Sequence, residues 1–159
     1  IHTSGNTGTF YLNPYDSISG VRIRNNIIYN TSGNYYGWLC FWNAAGDIVN
    51  VTASNNDIYG YSGGATPYYH SGKTVTNYVA SGNITSNPLF KSTSDFHLQS
   101  TSPCINAGLS VGLTLDFAGH RVPQQDTVDI GAYEYGNYLF RTPSGHLLRN
   151  ANGKLMITH

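Results

Sequence analysis

The chain of 159 residues has the usual size of one domain, and eight Lys and Arg balance eight Asp and Glu to a formal net charge of zero. Such a chain lacks the basic face that phosphate-backbone binding requires, which argues against nucleic acid as a partner. No apolar run reaches the roughly 18 to 20 residues needed to cross a bilayer, so we expect no membrane span. A hydrophobic fraction of 40% argues against disorder, and abundant Gly and Tyr beside Asn, Ser and Thr indicate a β-rich surface of extracellular type.

The first apolar run, Phe10-Tyr11-Leu12, predicts a single strand or the edge of a preceding repeat. The next element begins at Val21, where Val21 and Ile23 alternate with arginines in the period-two pattern of a half-buried strand. Asn25-Asn26 then interrupts the alternation, as a turn does.

The same arrangement returns thirty residues later. Asn25-Asn26 corresponds to Asn55-Asn56, Ile28-Tyr29 corresponds to Ile58-Tyr59, and a weaker third copy spans 74–84. A strand pattern that recurs every 20 to 30 residues or so indicates a solenoid. We therefore expect equivalent asparagines to lie above one another in side-chain ladders, with Val and Ile stacked inside. An antiparallel β-sandwich is the competing architecture, because short strands joined by polar turns suit it as well.

The segment 34–43 is the most aromatic part of the chain and is the candidate recognition surface. As a strand it places Tyr36, Trp38 and Trp42 on one face. Their flat rings suit contact with a second subunit or stacking on sugars. The alternative is that one face is buried in the core and the other under a loop.

The two cysteines, Cys40 and Cys104, do not make a disulfide framework. We interpret them as two small buried residues, although repeats that brought them together would allow a disulfide.

Four short motifs follow one another between 87 and 135. They are Asn-Pro-Leu-Phe at 87–90, Asp-Phe-His-Leu at 95–98, Ser-Pro-Cys-Ile-Asn-Ala-Gly at 102–108 and Asp-Ile-Gly-Ala-Tyr-Glu-Tyr at 129–135. In this order they resemble the C-terminal end of right-handed parallel β-helix proteins of the pectate-lyase-like superfamily, in the variant with a "choice-of-anchor Q" type ending. The resemblance implies a secreted or surface protein of bacterial type, and it leaves the activity open.

The expected fold is all-β: a short right-handed parallel β-helix in residues 1–86, a C-terminal cap in 87–135 and a small β-meander appendix in 136–159. Pro88 and Pro103 prevent a regular strand or helix from continuing through the cap. Its apolar side chains are expected to form a lid over one end of the stack, while the N-terminal end stays open. These lid residues are Leu89, Phe90, Phe96, Leu98 and Ile105.

The appendix contains three short apolar runs separated by the turn signals Pro-Ser-Gly and Ala-Asn-Gly. So small a meander needs a surface to pack on, either its own solenoid or a neighbouring molecule. The candidate assembly strands comprise Tyr138, Leu139, Phe140, Leu147, Leu148, Leu155, Met156 and Ile157.

No catalytic residue, metal site or cofactor is predicted. The resemblance to β-helix lyases would imply clustered carboxylates for Ca²⁺, but Asp16, Asp47 and Asp57 fall on different repeats. The six histidines occur singly, without metal-ligand spacing. His97 is interpreted as a structural hydrogen-bonding residue, and Asp129 as a turn cap.

Three sequons, at Asn30, Asn50 and Asn83, are candidate glycosylation sites. Asn83 follows a predicted turn and is expected to be the most accessible of them.

The sequence favours a non-catalytic extracellular or cell-surface structural protein, a filament subunit that binds copies of itself through its solenoid ends and C-terminal strands. The alternatives are the C-terminal fragment of a secreted polysaccharide lyase or glycoside hydrolase, and a carbohydrate-binding module using Trp38 and Trp42. Because the chain opens on Ile1 without an initiator Met or signal peptide, we expect a processed chain or a fragment.

Overall fold

The computed structural model describes residues 2–3, 10–12, 14, 16–30, 37–41, 46–69, 75–136, 138–139 and 157–158. These residues form short strands and no helix, so no helix in the described part is long and apolar enough to cross a membrane. The strands are β1 (His2–Thr3), β2 (Phe10–Leu12), β3 (Ile18–Ser19), β4 (Arg22–Arg24), β5 (Ile27–Asn30), β6 (Leu39–Phe41), β7 (Ile48–Ser54), β8 (Asp57–Tyr59), β9 (Tyr68–Tyr69), β10 (Thr76–Ser81), β11 (Tyr138–Leu139) and β12 (Ile157–Thr158).

Ten of these strands, β1 to β10, lie in three sheets in which every pairing is parallel. The sheet orders are β1-β5-β8, β2-β6-β9 and β10-β7-β3, and β4 also pairs with β7. Parallel pairing differs from the antiparallel pairing of a β-sandwich, the competing architecture. The all-β prediction is confirmed.

The register of these sheets confirms the thirty-residue repeat. Ile28 pairs with Ile58 and Tyr29 with Tyr59, and the two tyrosine rings stack with their centroids 5.4 Å apart. The third copy stacks on the second, because β10 pairs in parallel with β7 from Thr76 with Val49 to Ser81 with Ser54. We call 18–30, 48–59 and 75–84 the first, second and third repeats.

The predicted apolar alternation places the core between the sheets. Ile23 of β4 is 6% exposed, whereas its neighbour Arg22 is exposed. Ile28 and Ile58 are fully buried, at 0% and 1%. The main core cluster consists of Ile23, Ile28, Trp38, Leu39, Phe41, Ile48, Val51, Ala53, Ile58 and Tyr61.

The predicted asparagine ladder is present and joins all three repeats. The Asn56 side-chain oxygen accepts hydrogen bonds from the backbone N–H and the amide of Asn26, both at 3.0 Å. The Asn83 oxygen accepts the corresponding bonds from Asn56, at 2.9 and 3.0 Å. We call Asn26, Asn56 and Asn83 the inner ladder, because Asn56 at its centre is 0% exposed.

The C-terminal block, 87–135, lies against the side of the repeats. Cys104 contacts Asp57 in the second repeat, and the Asn55 amide donates to the Ala107 carbonyl at 2.9 Å. Asn25 of the first repeat both donates to and accepts from the Leu109 backbone, at 2.7 and 2.8 Å. The segment 104–109 therefore crosses two repeats along their turns.

That the block forms a lid over one end of the stack stays a prediction. Strand β10, the outermost strand of its sheet, remains exposed at every residue except Tyr78, which is half-buried. Apolar side chains of the block bury against Ile27 of the first repeat. That second cluster contains Ile27, Leu98, Cys104 and Ile130, with Phe90, Ile105 and Ile84 packed against it.

The two cysteines are free and buried, as predicted. In the appendix, Tyr138–Leu139 pairs antiparallel with Ile157–Thr158. A simple meander would separate these two runs by a middle strand, so their direct pairing differs from the predicted order. The middle run, at 147–148, lies outside the described residues.

Candidate functional site

The aromatic surface predicted around Trp38 is not formed by that residue. Trp38 is 0% exposed, and its indole N–H donates to the Ala65 carbonyl at 2.9 Å. Leu39, Cys40 and Phe41 are buried as well, because β6 is the central strand of its sheet and both of its faces are covered. Trp38 is therefore a core residue, whereas Tyr36 and Trp42 lie outside the described residues.

The three sequons differ in accessibility, and their order is not the predicted one. Asn30 is 4% exposed and donates to the Gly60 carbonyl, so a glycan there would disrupt the fold. Asn83 is half-buried and belongs to the inner ladder. Asn50 is exposed and is the accessible sequon of the three.

A buried Asp–Cys pair joins the second repeat to the C-terminal block. The Cys104 thiol donates to Asp57 Oδ2 at 3.2 Å, and both residues are 0% exposed. Burial raises the pKa of Asp57 to about 6, although the hydrogen bonds from Cys104 and the Ser86 backbone act in the opposite direction. Burial, and next the negative charge of Asp57, raise the pKa of the Cys104 thiol far above its ordinary value, so it remains a protonated donor. An inaccessible thiol of this kind is not a nucleophile.

The acidic residues near the end of the block form a second buried network. Asp129 accepts the backbone N–H groups of Asn106 and Tyr135, at 2.8 and 2.5 Å, as expected of a turn cap. Glu134 accepts those of Gln124 and Asp129, at 3.1 and 3.0 Å. Burial raises the pKa of Asp129 to about 6, against the effect of these backbone donors, and the charge of Glu134 raises it further. These carboxylates position backbone in the block.

His97 has the structural role predicted for it. Its Nδ1 lies 2.6 Å from Asp95 Oδ1, and its ring stacks on Tyr133 with centroids 4.0 Å apart. This hydrogen bond is the first cause of a lowered pKa of Asp95. Among the described residues, no group of three or more His, Cys, Asp or Glu side chains could hold a metal ion.

An aromatic cleft of about 460 Å³ separates the first repeat from the C-terminal block. Its repeat-side wall comprises Asn25, Asn26, Ile27 and Tyr29, and its described lining contains no residue of the second or third repeat and no charged side chain. The opposite wall includes the rings of Phe90, Phe96, Phe117 and Tyr133. Phe117 is 81% exposed, which is unusual for so large an apolar side chain.

Sequence reasoning missed this cleft. It assigned Phe90 and Phe96 to a lid and did not single out Phe117 or Tyr133. A signal was available in 109–117, where Leu109, Val111, Leu113, Leu115 and Phe117 occupy alternate positions and are all at least 39% exposed. Of these five residues, Phe117 lines the cleft.

The sheet of β10, β7, β3 and β4 has two open edges. Strand β10 pairs with β7 on one side, β3 and β4 pair with β7 on its other side, and no further described strand joins either edge. A second side-chain ladder crosses this sheet, in which the Asn77 amide donates to Asn50 and the Asn50 amide donates to Ser19, at 3.0 and 3.1 Å. We call Ser19, Asn50 and Asn77 the outer ladder.

The predicted C-terminal assembly strands are described only in part. Tyr138 and Leu139 lie in β11, and Ile157 lies in β12. Phe140, Leu147, Leu148, Leu155 and Met156 lie outside the described residues.

Comparisons with models of protein families, with curated proteins and with solved structures find no match for this chain.

Proposed function

We propose that this chain is a non-catalytic structural protein of the cell surface or extracellular space, whose copies assemble end to end into a filament. In this proposal the three parallel sheets are the faces of a short right-handed β-helix. The thirty-residue register, the inner ladder and the resemblance of 87–135 to β-helix C-terminal regions support that architecture.

The observation that carries the proposal is the pair of open edges on one sheet. Strand β10 offers six residues, Thr76–Ser81, with an exposed outer side. The opposite edge is formed by β3 and β4. An exposed edge strand is a template for strand addition from another chain. Because the two edges are unlike, their contact is heterologous, and repeated heterologous contact produces a fibre unless the rotation closes a ring.

The carboxylates favour a structural role over hydrolysis. Glycoside hydrolysis needs two carboxyl groups that face a bound sugar. Here Asp57 and Asp129 are 0% and 4% exposed and hydrogen-bond to protein groups. The burial of Trp38 likewise weighs against a sugar-binding surface built on that residue.

Size-exclusion chromatography and negative-stain microscopy of the chain over a range of concentrations test the proposal. We expect assembly that grows with concentration, and we expect Val79→Lys to abolish it, because a charge at the edge strand opposes strand addition. Val79 is 53% exposed, so the substitution leaves the fold intact.

Leu113→Lys is the matched control. Leu113 is 65% exposed and lies in the C-terminal block, outside the strands that form the two edges, so assembly should be retained. A monodisperse monomer at every concentration would overturn the proposed function.

A further inference from the structure

We propose that the aromatic cleft is the seat for the turn Gly82–Asn83–Ile84 of a second copy, whose Asn83 extends the inner ladder by hydrogen-bonding to Asn26. This inference rests on the proposed end-to-end assembly and names the residues that meet in it. Three independent features of the first repeat lead to it: the direction of the ladder, the bond that Asn26 makes within its own repeat, and the chemistry of the cleft.

The inner ladder has a direction, and it leaves one acceptor at the first repeat. At each step the earlier repeat donates its backbone N–H and its amide to the asparagine oxygen of the next repeat. Asn56 and Asn83 thus each accept two hydrogen bonds. No described residue donates to the side-chain oxygen of Asn26. The side-chain oxygen of Asn26 can therefore accept the backbone N–H and the amide of an asparagine in another repeat that stacks before the first one.

Asn26 also makes a hydrogen bond that differs from those of its counterparts. The amides of Asn56 and Asn83 donate back to the preceding repeat, to the carbonyls of Ile23 and Ala53, both at 2.9 Å. The Asn26 amide instead donates to the Arg24 carbonyl within its own repeat, at 2.8 Å. Ala80 is the residue of the third repeat that pairs with Ala53. In the assembled form, the Asn26 amide exchanges Arg24 for the Ala80 carbonyl of the second copy.

The cleft suits the residue that follows Asn83. Ile27, Asp57 and Ile84 occupy equivalent positions, since Ile27 pairs with Asp57 and Asp57 bridges to Ile84. A second copy in this register places its Ile84 over Ile27, between the turn of the first repeat and Phe117. The uncharged and largely aromatic lining fits an isoleucine and would not pair a charged side chain.

The outer ladder continues in the same register. In it the later repeat donates to the earlier one, from Asn77 to Asn50 and from Asn50 to Ser19. At the junction, the Ser19 hydroxyl of one copy donates to the Asn77 side-chain oxygen of the other. Both ladders therefore meet donor to acceptor when β10 of one copy adds parallel to β3 and β4 of the next.

A cysteine pair tests the register. Val79 and Arg22 both pair with Thr52, from opposite sides of β7, so they are two strand spacings, roughly 9.6 Å, apart within one chain. That separation exceeds the roughly 7 Å limit for a disulfide, so the pair cannot form within one molecule. Between copies in the proposed register the two residues lie directly opposite.

We expect the double variant Arg22→Cys, Val79→Cys to yield a ladder of disulfide-linked multimers on mild oxidation of the assembled protein. Each single variant should stop at the dimer, and the native Cys40 and Cys104 should not interfere because they are buried. Multimers that also form with Leu113→Cys in place of Val79→Cys would overturn the register.

A peptide-binding experiment tests the cleft proposal separately from the filament proposal. A labelled peptide of residues 75–86 should bind the dilute protein, with a Kd about tenfold lower than that of the same peptide carrying Asn83→Ala, because the alanine peptide keeps its backbone N–H but loses the side-chain amide that donates to Asn26. In the protein, Phe117→Ser should weaken binding of both peptides.

The possible outcomes distinguish the two proposals. Asparagine-dependent peptide binding by a protein that never assembles would remove the filament and keep the cleft. Assembly in which the peptide fails to bind, or in which the two peptides bind equally, would remove the cleft and keep the filament.

Discussion

The repeats and the C-terminal block reach order by opposite means. In the repeats, one residue type recurs at one position and bonds to its own copies, as Asn26, Asn56 and Asn83 do. In the block the contacts are all different: Asp129 holds two backbone N–H groups, and Glu134 holds two others. The block contains isolated bridges, such as Phe90 with Leu98, where the repeats contain sheets.

The difference has a consequence for assembly. A repeating unit presents at each end the same groups that it uses internally, so it can bind another copy without a dedicated interface. A block whose contacts are all different does not present at its surface the groups that it uses internally, so it has no ready-made interface for another copy. Here the block lies along the side of the repeats and leaves β10 exposed. Among the residues that the structure describes, no strand pairs with the outer side of β10 or of β3 and β4, and the proposed assembly uses these two edges.

The largest expected effect is that of Asn56→Ala, which removes the centre of the inner ladder. Asn56 is 0% exposed and makes four side-chain hydrogen bonds, to Asn26 twice, to Ile23 and to Asn83. Because several buried groups lose their partners, we expect a loss of roughly 3 to 5 kcal/mol in the free energy of unfolding. Chemical denaturation measures it.

Asn50→Ala, at the centre of the exposed outer ladder, is the matched control and should cost less than about 1 kcal/mol. Equal losses in the two variants would show that burial does not distinguish the two ladders.

The ladder is the part of the fold that sequence could predict, and the cleft is the part that it could not. The pairs Asn25-Asn26 and Asn55-Asn56 predict the ladder, because they recur at a spacing of thirty residues that can be read directly from the sequence. The cleft lies where the block meets the first repeat, and contacts between those two regions, such as that of Asn25 with Leu109, join positions 84 residues apart that no period connects. Trp38 was ambiguous for a related reason: alternation assigns a face, whereas only segments distant in the sequence, such as the one that contains Ala65, decide whether that face is covered.

Two glycines with almost the same backbone conformation test how tightly the two regions are packed. Gly60, directly after the second repeat, has φ +84°, and Gly112 in the block has φ +82°. A Cβ at Gly60 would lie 2.1 Å from the Asn30 carbonyl oxygen, whereas nothing lies within 4 Å of one at Gly112.

Both alanine variants incur the roughly 1 to 2 kcal/mol of a left-handed residue. Gly60→Ala adds a clash with backbone and should cost roughly 3 kcal/mol or more in total. Thermal unfolding of the two variants gives the difference directly. Equal destabilisation of the two variants would mean that the backbone around Asn30 shifts to relieve the clash at Gly60, so that the repeats are no more tightly packed than the block.

The burial of Asp57 between the two regions predicts that stability falls as pH rises. The folded pKa of Asp57, about 6, exceeds the ordinary value of 3.8, so the folded state binds more protons than the unfolded state between those values. The stabilising contribution is therefore complete below about pH 4 and is lost as pH rises through 6. Asp129 contributes with the same sign.

We expect each carboxyl group to lower the free energy of unfolding by on the order of 1 to 2 kcal/mol between pH 4.5 and 7, a range that avoids the opposite contribution of Asp95 at lower pH. Asp57→Asn should remove its share of this slope. Stability that rises between pH 4.5 and 7 would contradict the sign.

The smallest expected effect concerns the sequon at Asn50, which sharpens the contrast between the inner and outer ladders. In a host that glycosylates secreted proteins, mass spectrometry of the folded product should find a glycan on Asn50 and none on Asn30 or Asn83. The reason is that the Asn30 and Asn83 amides donate to the carbonyls of Gly60 and Ala53, inside the fold. The Asn50 amide donates to the exposed Ser19 hydroxyl, a bond that a glycan can replace at a cost within about 0.5 kcal/mol.

Because Asn50 lies on the central strand β7, between the two open edges, a glycan there should leave the paired main chain free and assembly intact. A glycan recovered on Asn83 of folded protein would mean that the inner ladder tolerates loss of an amide hydrogen, which would weaken the case for Asn83 as the residue that joins one copy to the next.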